Sequence, residues 1–283
     1  MRRISLFIAL VCMCSMALTG CGSSGSTSSS QPTSSGTAAD AQSGSAADMP
    51  DTPPVEVSSF ESAGKLIMAT EAGFKPYEYY EGTDIVGVDV DIAREIAKEM
   101  NMELVVEHME FSAIIPAVDS GKADFGAAGM SITEERAQQV DFTVEYATSK
   151  QVILTKADSD IQTADDLSGK TVGVQLGTVA DLALSEPEDF PGVKLELYNK
   201  YFEAVNDLLS GRIDAIVLDS LPAQELSKVN ESLAIRDEEI FTDVYAFCVK
   251  KGNTELLDSI NTVMQRLMDE GKIAEFTTNH LEE

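Results

Sequence analysis

A chain of 283 residues with 43% hydrophobic content carries enough apolar material for one large folded unit or two smaller ones. Acidic residues outnumber basic ones 48 to 20, a formal net charge of −28 with no basic stripe to interrupt it. Such a field repels nucleic acid, which argues against DNA or RNA partners, and it favours a soluble monomer.

Arg2 and Arg3 precede an apolar run from Ile4 to Leu18, too short to favour a membrane span and of the size of a signal-peptide core. The run ends in Leu18-Thr19-Gly20-Cys21, which resembles the bacterial lipobox. That resemblance implies cleavage after residue 20 and a diacylglycerol on the Cys21 sulfur, hence a protein tied to the outer face of a cell membrane, in a Gram-positive host by preference. Cys12 and Cys14 fall in the discarded segment, so Cys248 is the only thiol left in the folded part and no intrachain disulfide is available. Within Val244-Tyr-Ala-Phe-Cys-Val249 it reads as a small buried hydrophobe. Residues 22–59 are rich in Ser, Gly, Thr, Ala and Pro and contain no Lys or Arg. They cannot bury enough surface to order themselves, so 21–59 is expected to be a lipidated tether with a reach of about 35 Å.

From Phe60 onward strands and helices alternate. Lys65–Thr70 reads as a buried strand. Asp89–Met100 has helical spacing at Ile92, Ala93, Ile96, Ala97 and Met100, with Asp89 as N-cap. Met102–Val106 reads as a strand, Ser112–Asp119 as a short helix, Asp124–Gly129 as a strand, and a helix begins near Thr133. The rhythm repeats with a strand at Thr171–Gln175, a helix at Val179–Leu184, a strand at Val193–Tyr198, a helix at Phe202–Leu209 and a strand at Ile213–Leu218. Thr254–Met268 is expected to be the final helix. This order predicts an α/β fold with parallel-type sheets flanked by helices. The extended stretches Phe142–Lys156 and Val244–Lys250 would cross twice between two lobes, 60–149 plus 244–283 and 150–243, leaving a cleft between them.

Eight segments, taken in order, carry a resemblance. They are Ala69-Thr-Glu-Ala-Gly-Phe-Lys-Pro-Tyr77, Gly87-Val-Asp-Val-Asp-Ile92, Phe111-Ser-Ala-Ile-Ile-Pro-Ala117 and Ser120-Gly-Lys-Ala-Asp124, then Gly129-Met-Ser-Ile-Thr-Glu-Glu-Arg136, Val140-Asp-Phe142, Gly169-Lys-Thr-Val-Gly-Val-Gln-Leu-Gly-Thr178 and Gly211-Arg-Ile-Asp-Ala-Ile-Val-Leu-Asp219. Together they resemble the polar amino-acid solute-binding proteins of ABC transporters, over nearly all of residues 62–276. The resemblance implies the type II periplasmic-binding-protein fold, a free L-amino acid as ligand, the permease subunits of an ABC importer as partners, no cofactor and no catalysis. The end of the chain departs from the family pattern: Gly271-Lys-Ile-Ala-Glu-Phe276 lacks the usual aromatic after the glycine, and the closing tryptophan is missing.

A zwitterionic ligand needs a cation with donors at one pole and an anion at the other. Arg136 is the candidate cation, since a guanidinium grips a carboxylate with two parallel bonds; a local pair with Asp141 or Glu135 is the competing reading. The resemblance places backbone donors around Gly129 and a hydroxyl at Ser131 beside it. In the second half, Thr178 and Val179 open a helix after a strand, where free N–H groups attract anions. Asp219, at the carboxyl end of a buried strand, is implied to hold the ammonium, with a helix N-cap as its alternative role. Phe74 and Phe111 match positions whose rings sandwich the ligand side chain, whereas Tyr77 reads as core. Glu71 occupies an acidic position of the basic-amino-acid binders and Gln175 one that distinguishes ligands. Together they lean toward arginine, lysine or histidine, with glutamine and cystine left open.

Other motifs fail on their context. Gly169-Lys170-Thr171 lacks the earlier glycine of a phosphate-binding loop and precedes a strand. His108 and His280 are the only histidines and offer neither a zinc site nor a hydrolase triad, and Glu186-Pro-Glu-Asp189 reads as a solvated turn. A dehydratase that uses Glu71 as general acid and a receptor-docking sensor are the two rival classes.

Overall fold

The computed structural model describes residues 64–282; the expected signal peptide, the lipidated Cys21 and the tether lie outside them. Two mixed five-stranded sheets organise these residues. In the first, Lys65–Thr70 lies between Glu103–His108 and Phe125–Gly126, parallel to both; Cys248–Lys250 then pairs antiparallel with Phe125–Gly126 and with Val140–Phe142. In the second, Thr171–Gln175 runs parallel to its neighbours Ala215–Asp219 and Lys194–Tyr198. Ala147–Lys156 lies antiparallel to Ala215–Asp219 and to the long strand Leu233–Tyr245. Each sheet is thus parallel over three strands and closed by antiparallel ones, the two-lobed architecture anticipated, with mixed sheets where parallel ones were expected. The chain leaves the first sheet after Phe142 and returns to it at Cys248, so residues 143–147 and 245–247, at the ends of the paired strands Ala147–Lys156 and Leu233–Tyr245, form the two crossings.

Helical periodicity is realised as burial. On the helix Val88–Glu99, Val88, Ile92, Ala93, Ile96 and Ala97 are buried, and they pack on the helix Thr254–Asp269, which buries Leu256, Ile260, Val263, Met264 and Leu267. An amphipathic stripe of this kind has to find an apolar partner. The N-cap of the first helix is Gly87, not Asp89. Gly87 stands at φ +134°, and a Cβ there would meet the Tyr77 carbonyl oxygen at 2.1 Å, so glycine alone fits the entry. Asp89 falls two positions later, inside the first turn, and is wholly buried.

Four further differences stand out. Phe111–Ala113 forms a 3₁₀ turn that leads into the helix Ile114–Asp119. A hairpin, Tyr79–Glu81 with Asp84–Val86, interrupts the connection to the first helix. The strand expected at 124–129 is only two residues long, Phe125–Gly126. The helix expected to end the chain is followed by another, Lys272–Glu282, across Gly271 at φ +69°. His280 of that helix is buried and anchors it, with Nε2 2.9 Å from Asp91 and Nδ1 3.0 Å from the Tyr79 hydroxyl.

Candidate functional site

The carboxyl ends of the strands in both sheets converge on one cleft, about 330 Å³ of empty space with its opening to solvent included. All ten ligand residues expected from the sequence line it. Glu71, Phe74, Phe111, Gly129, Ser131 and Arg136 come from the lobe of the first sheet. Gln175, Thr178, Val179 and Asp219 come from the other. Ala128 and Glu78, which were not foreseen, complete the wall.

Arg136 reaches the cavity because Thr133 caps the short helix Glu134–Gln139, its hydroxyl accepting the Arg136 N–H at 3.2 Å. The side chain is buried at 7% exposure. Nη1 donates to the Ser131 carbonyl at 2.5 Å, and Nη2 donates across the cleft to the Gly177 carbonyl at 2.8 Å. The guanidinium carbon stands 5.3 Å from the centre of the Phe111 ring, a cation–π contact. Burial lowers its ionisation point, opposed by Cys248, Asp243 and Glu135, and a guanidinium stays charged at neutral pH. Among the described residues no carboxylate forms an ion pair with it. Asp141, the rival partner, is held by Lys251 at 2.7 Å. A buried cation whose only bonds are to carbonyls is poised for an anion.

Asp219 occupies the N-cap position of the helix Ser220–Val229, yet its side chain makes no capping bond. It turns inward instead, accepting the Ser149 hydroxyl at 2.5 Å and the Tyr245 hydroxyl on the same oxygen. Burial and nearby Asp243 push it up to about 6, against those hydrogen bonds. Glu71, 3% exposed, is pushed up to about 7, chiefly by burial. Gln175 donates to Glu71 Oε2 across the cleft at 3.4 Å and to the Asn199 carbonyl at 2.9 Å, while Glu71 Oε1 is buried without a partner among the described residues. Phe74 is stacked between Tyr77 and Tyr201, with centroids 5.9 and 6.0 Å away. Tyr77 itself is buried and meets Tyr245 edge-on at 5.0 Å, as core residues do.

Two of the expected donors, the Gly129 N–H and the Ser131 hydroxyl, are already engaged, as are two groups beside the entrance of the second-lobe helix. The Gly129 N–H donates to Asp89 Oδ2 at 3.0 Å. The Ser131 hydroxyl donates to Asp243. The Thr178 hydroxyl donates to the Gln175 carbonyl at 2.8 Å, and the Gly177 N–H is taken by Asp181 at 2.8 Å. Gly129 is required for a different reason: at φ +51°, a Cβ would sit 2.8 Å from the Phe74 ring. Glu78, Asp89 and Asp243 are the residues that sequence reasoning missed. A polar residue inside an apolar run was the available signal at Asp89.

The arrangement is bipolar, with an unpaired guanidinium on one lobe and buried carboxyls on both. Among the described residues no group of His, Cys, Asp and Glu is placed to hold a metal ion.

The chain matches the family of bacterial extracellular solute-binding proteins, family 3, over residues 66–283. It is 38% identical over 212 residues to the arginine-binding extracellular protein ArtP of Bacillus subtilis, covering 74% of this chain and 83% of that one. The arginine-bound form of a truncated ArgBP from T. maritima is 39% identical with a TM-score of 0.69, covering 72% of this chain and 96% of that one. An ancestral arginine-binding protein bound to glutamine is 37% identical with a TM-score of 0.73, covering 78% and 99%.

Proposed function

From the premise that the chain belongs to the bacterial extracellular solute-binding proteins of family 3, we propose that it captures a free amino acid with a cationic side chain, L-arginine first, for an ABC importer. The observation that carries this reading is the charge inside the cavity. Arg136 supplies one buried cation; Asp219 and Glu71 supply two buried acids at other points of the wall. A cationic amino acid brings one carboxylate and two positive groups. Its carboxylate would bind Arg136, its ammonium Asp219 and its side-chain cation Glu71, with Phe74 and Phe111 flanking the aliphatic stem. Gly129, Ser131, Gln175, Thr178 and Val179 would complete the contact surface.

Capture would close two hinged lobes, 60–149 plus 244–283 and 150–243, about the crossings that bear Tyr146 and Tyr245. Ligand that touches both lobes favours the closed state. The closed protein, a monomer tethered through lipidated Cys21 to the outer face of a Gram-positive membrane, would then dock on its permease. The tether reading is tested by Cys21→Ala, which should release the protein from membranes; continued membrane retention refutes it.

Glutamine is the second reading. The Gln175 amide already meets Glu71, and a neutral ligand amide would fit the same pair. Calorimetric titration with each of the twenty amino acids and cystine separates the two. Submicromolar to micromolar binding led by arginine supports the first reading, a lead by glutamine the second, and silence throughout refutes both. The protein is not an enzyme on this reading, and incubation with prephenate or arogenate should yield no product.

A further inference from the structure

Glu78 is 1% exposed and stands on the cavity wall. Its backbone is pinned by a reciprocal pair with Phe74, whose N–H donates to the Glu78 carbonyl at 2.8 Å. Its carboxyl lies beside the Asp89 carboxyl, near enough for the two to share a proton. Two carboxylates are acceptors only and repel at such an approach, whereas a proton on one of them turns the contact into a hydrogen bond. Asp89 already accepts the Gly129 N–H at 3.0 Å and the Tyr146 hydroxyl at 2.5 Å. Those donors favour its anionic form, which assigns the proton to Glu78. Burial first, then the neighbouring acids Asp89, Glu71 and Asp219, holds its carboxyl well above the ordinary range. Its second oxygen, Oε2, is buried with no hydrogen-bond partner among the described residues.

We propose that Glu78 is a positioning and specificity-determining residue that works as a neutral acid, donating its proton to Asp89 and offering Oε2 as an uncharged acceptor to the ligand. This inference rests on the cationic-amino-acid reading of the cavity. With Glu78 neutral, the wall carries Arg136 against Glu71 and Asp219, the mirror image of a ligand with one anion and two cations. With Glu78 ionised the wall would hold a third anion that such a ligand leaves unmatched, and a buried unmatched charge is costly. Through Asp89, the same proton also fixes Gly129 on the cavity side and Tyr146 at the first crossing.

The test has two arms. Difference infrared spectroscopy of the full protein at pH 8, against Glu78→Gln, should show a protonated-carboxyl carbonyl band that the substitution removes. Absence of that band in the unsubstituted protein overturns the proposal, whatever the ligand proves to be. Calorimetry with L-arginine at pH 8 should find Glu78→Gln within about threefold of the parent, because the amide reproduces donor and acceptor. Glu78→Met, of similar bulk but without either, should lose at least tenfold. A tenfold loss in Glu78→Gln that spares glutamine binding would identify an ionised charge partner and overturn the neutral-acid role. Unchanged affinity in Glu78→Met would remove Glu78 from ligand recognition. If the unsubstituted protein binds no amino acid, the proposed function fails while the infrared arm still judges the proton.

Discussion

Replacing Glu71 by Gln isolates the ligand's side-chain charge. The residue is buried, and its carboxyl is pushed up to about 7 from an ordinary 4.5, chiefly by desolvation. A cation seated beside it should restore the ordinary value. That return corresponds to about 3 kcal/mol of differential interaction, or roughly a hundredfold in binding. At pH 8, where Glu71 is mostly ionised, Glu71→Gln should therefore weaken L-arginine about a hundredfold. It should leave glutamine within about threefold, since the new amide keeps the hydrogen-bonding reach to Gln175. Calorimetric titration of both proteins with both ligands measures the swing directly. An arginine loss below fivefold, or a parallel fall in glutamine affinity, would refute the assignment of Glu71 to the side-chain cation.

Three further outcomes follow from the same geometry. Arginine affinity should fall at least tenfold between pH 8 and pH 6, because protons on Glu71, near 7, and Asp219, near 6, compete with the ligand's cations; a flat profile contradicts the ion-pair scheme. The unliganded protein should show the opposite trend in stability. Glu71, Asp89 and Asp219 all have folded values raised above the unfolded ones, so their contribution is full below about 4 and is lost as pH rises to about 7. Thermal unfolding should give a higher midpoint at pH 5 than at pH 7.5, and the reverse order refutes the buried-acid account. Arg136→Lys should cost at least tenfold in arginine binding and Arg136→Ala should abolish it, because a lysine cannot span the Ser131 and Gly177 carbonyls while gripping a carboxylate. Retained affinity in either variant removes Arg136 from the carboxylate pole.

Much of the fold was legible because burial writes itself into apolar spacing. Lys65–Thr70, Thr171–Gln175 and Val179–Leu184 were delimited to the residue. The strand Leu233–Tyr245 was legible only at its end, because the three charges Asp237-Glu238-Glu239 break its apolar pattern. Those residues sit where the pairing with Ala147–Lys156 shifts register, so the chain tolerates charge there without leaving the sheet. The last helix was hidden by Gly271, which ends one helix and admits the next. In the cavity, residues with one dominant chemistry were readable: Arg136 as cation, Asp219 as acid, Phe74 and Phe111 as rings. Those defined by a partner were not. Asp89 looks like a cap until Gly129 and Tyr146 are seen donating to it, and nothing in the sequence singles out Glu78, which is defined by its burial on the cavity wall. Gly129 was foreseen at the site as a backbone donor, whereas its N–H serves Asp89 and its missing Cβ makes room for Phe74.

A crystal structure of the protein grown with L-arginine addresses the bipolar scheme most directly. The ligand carboxylate should lie within hydrogen-bond distance of both terminal nitrogens of Arg136, the ammonium on Asp219 and the guanidinium against Glu71. A ligand bound in the reverse sense, or outside the cavity between the two sheets, would contradict the scheme.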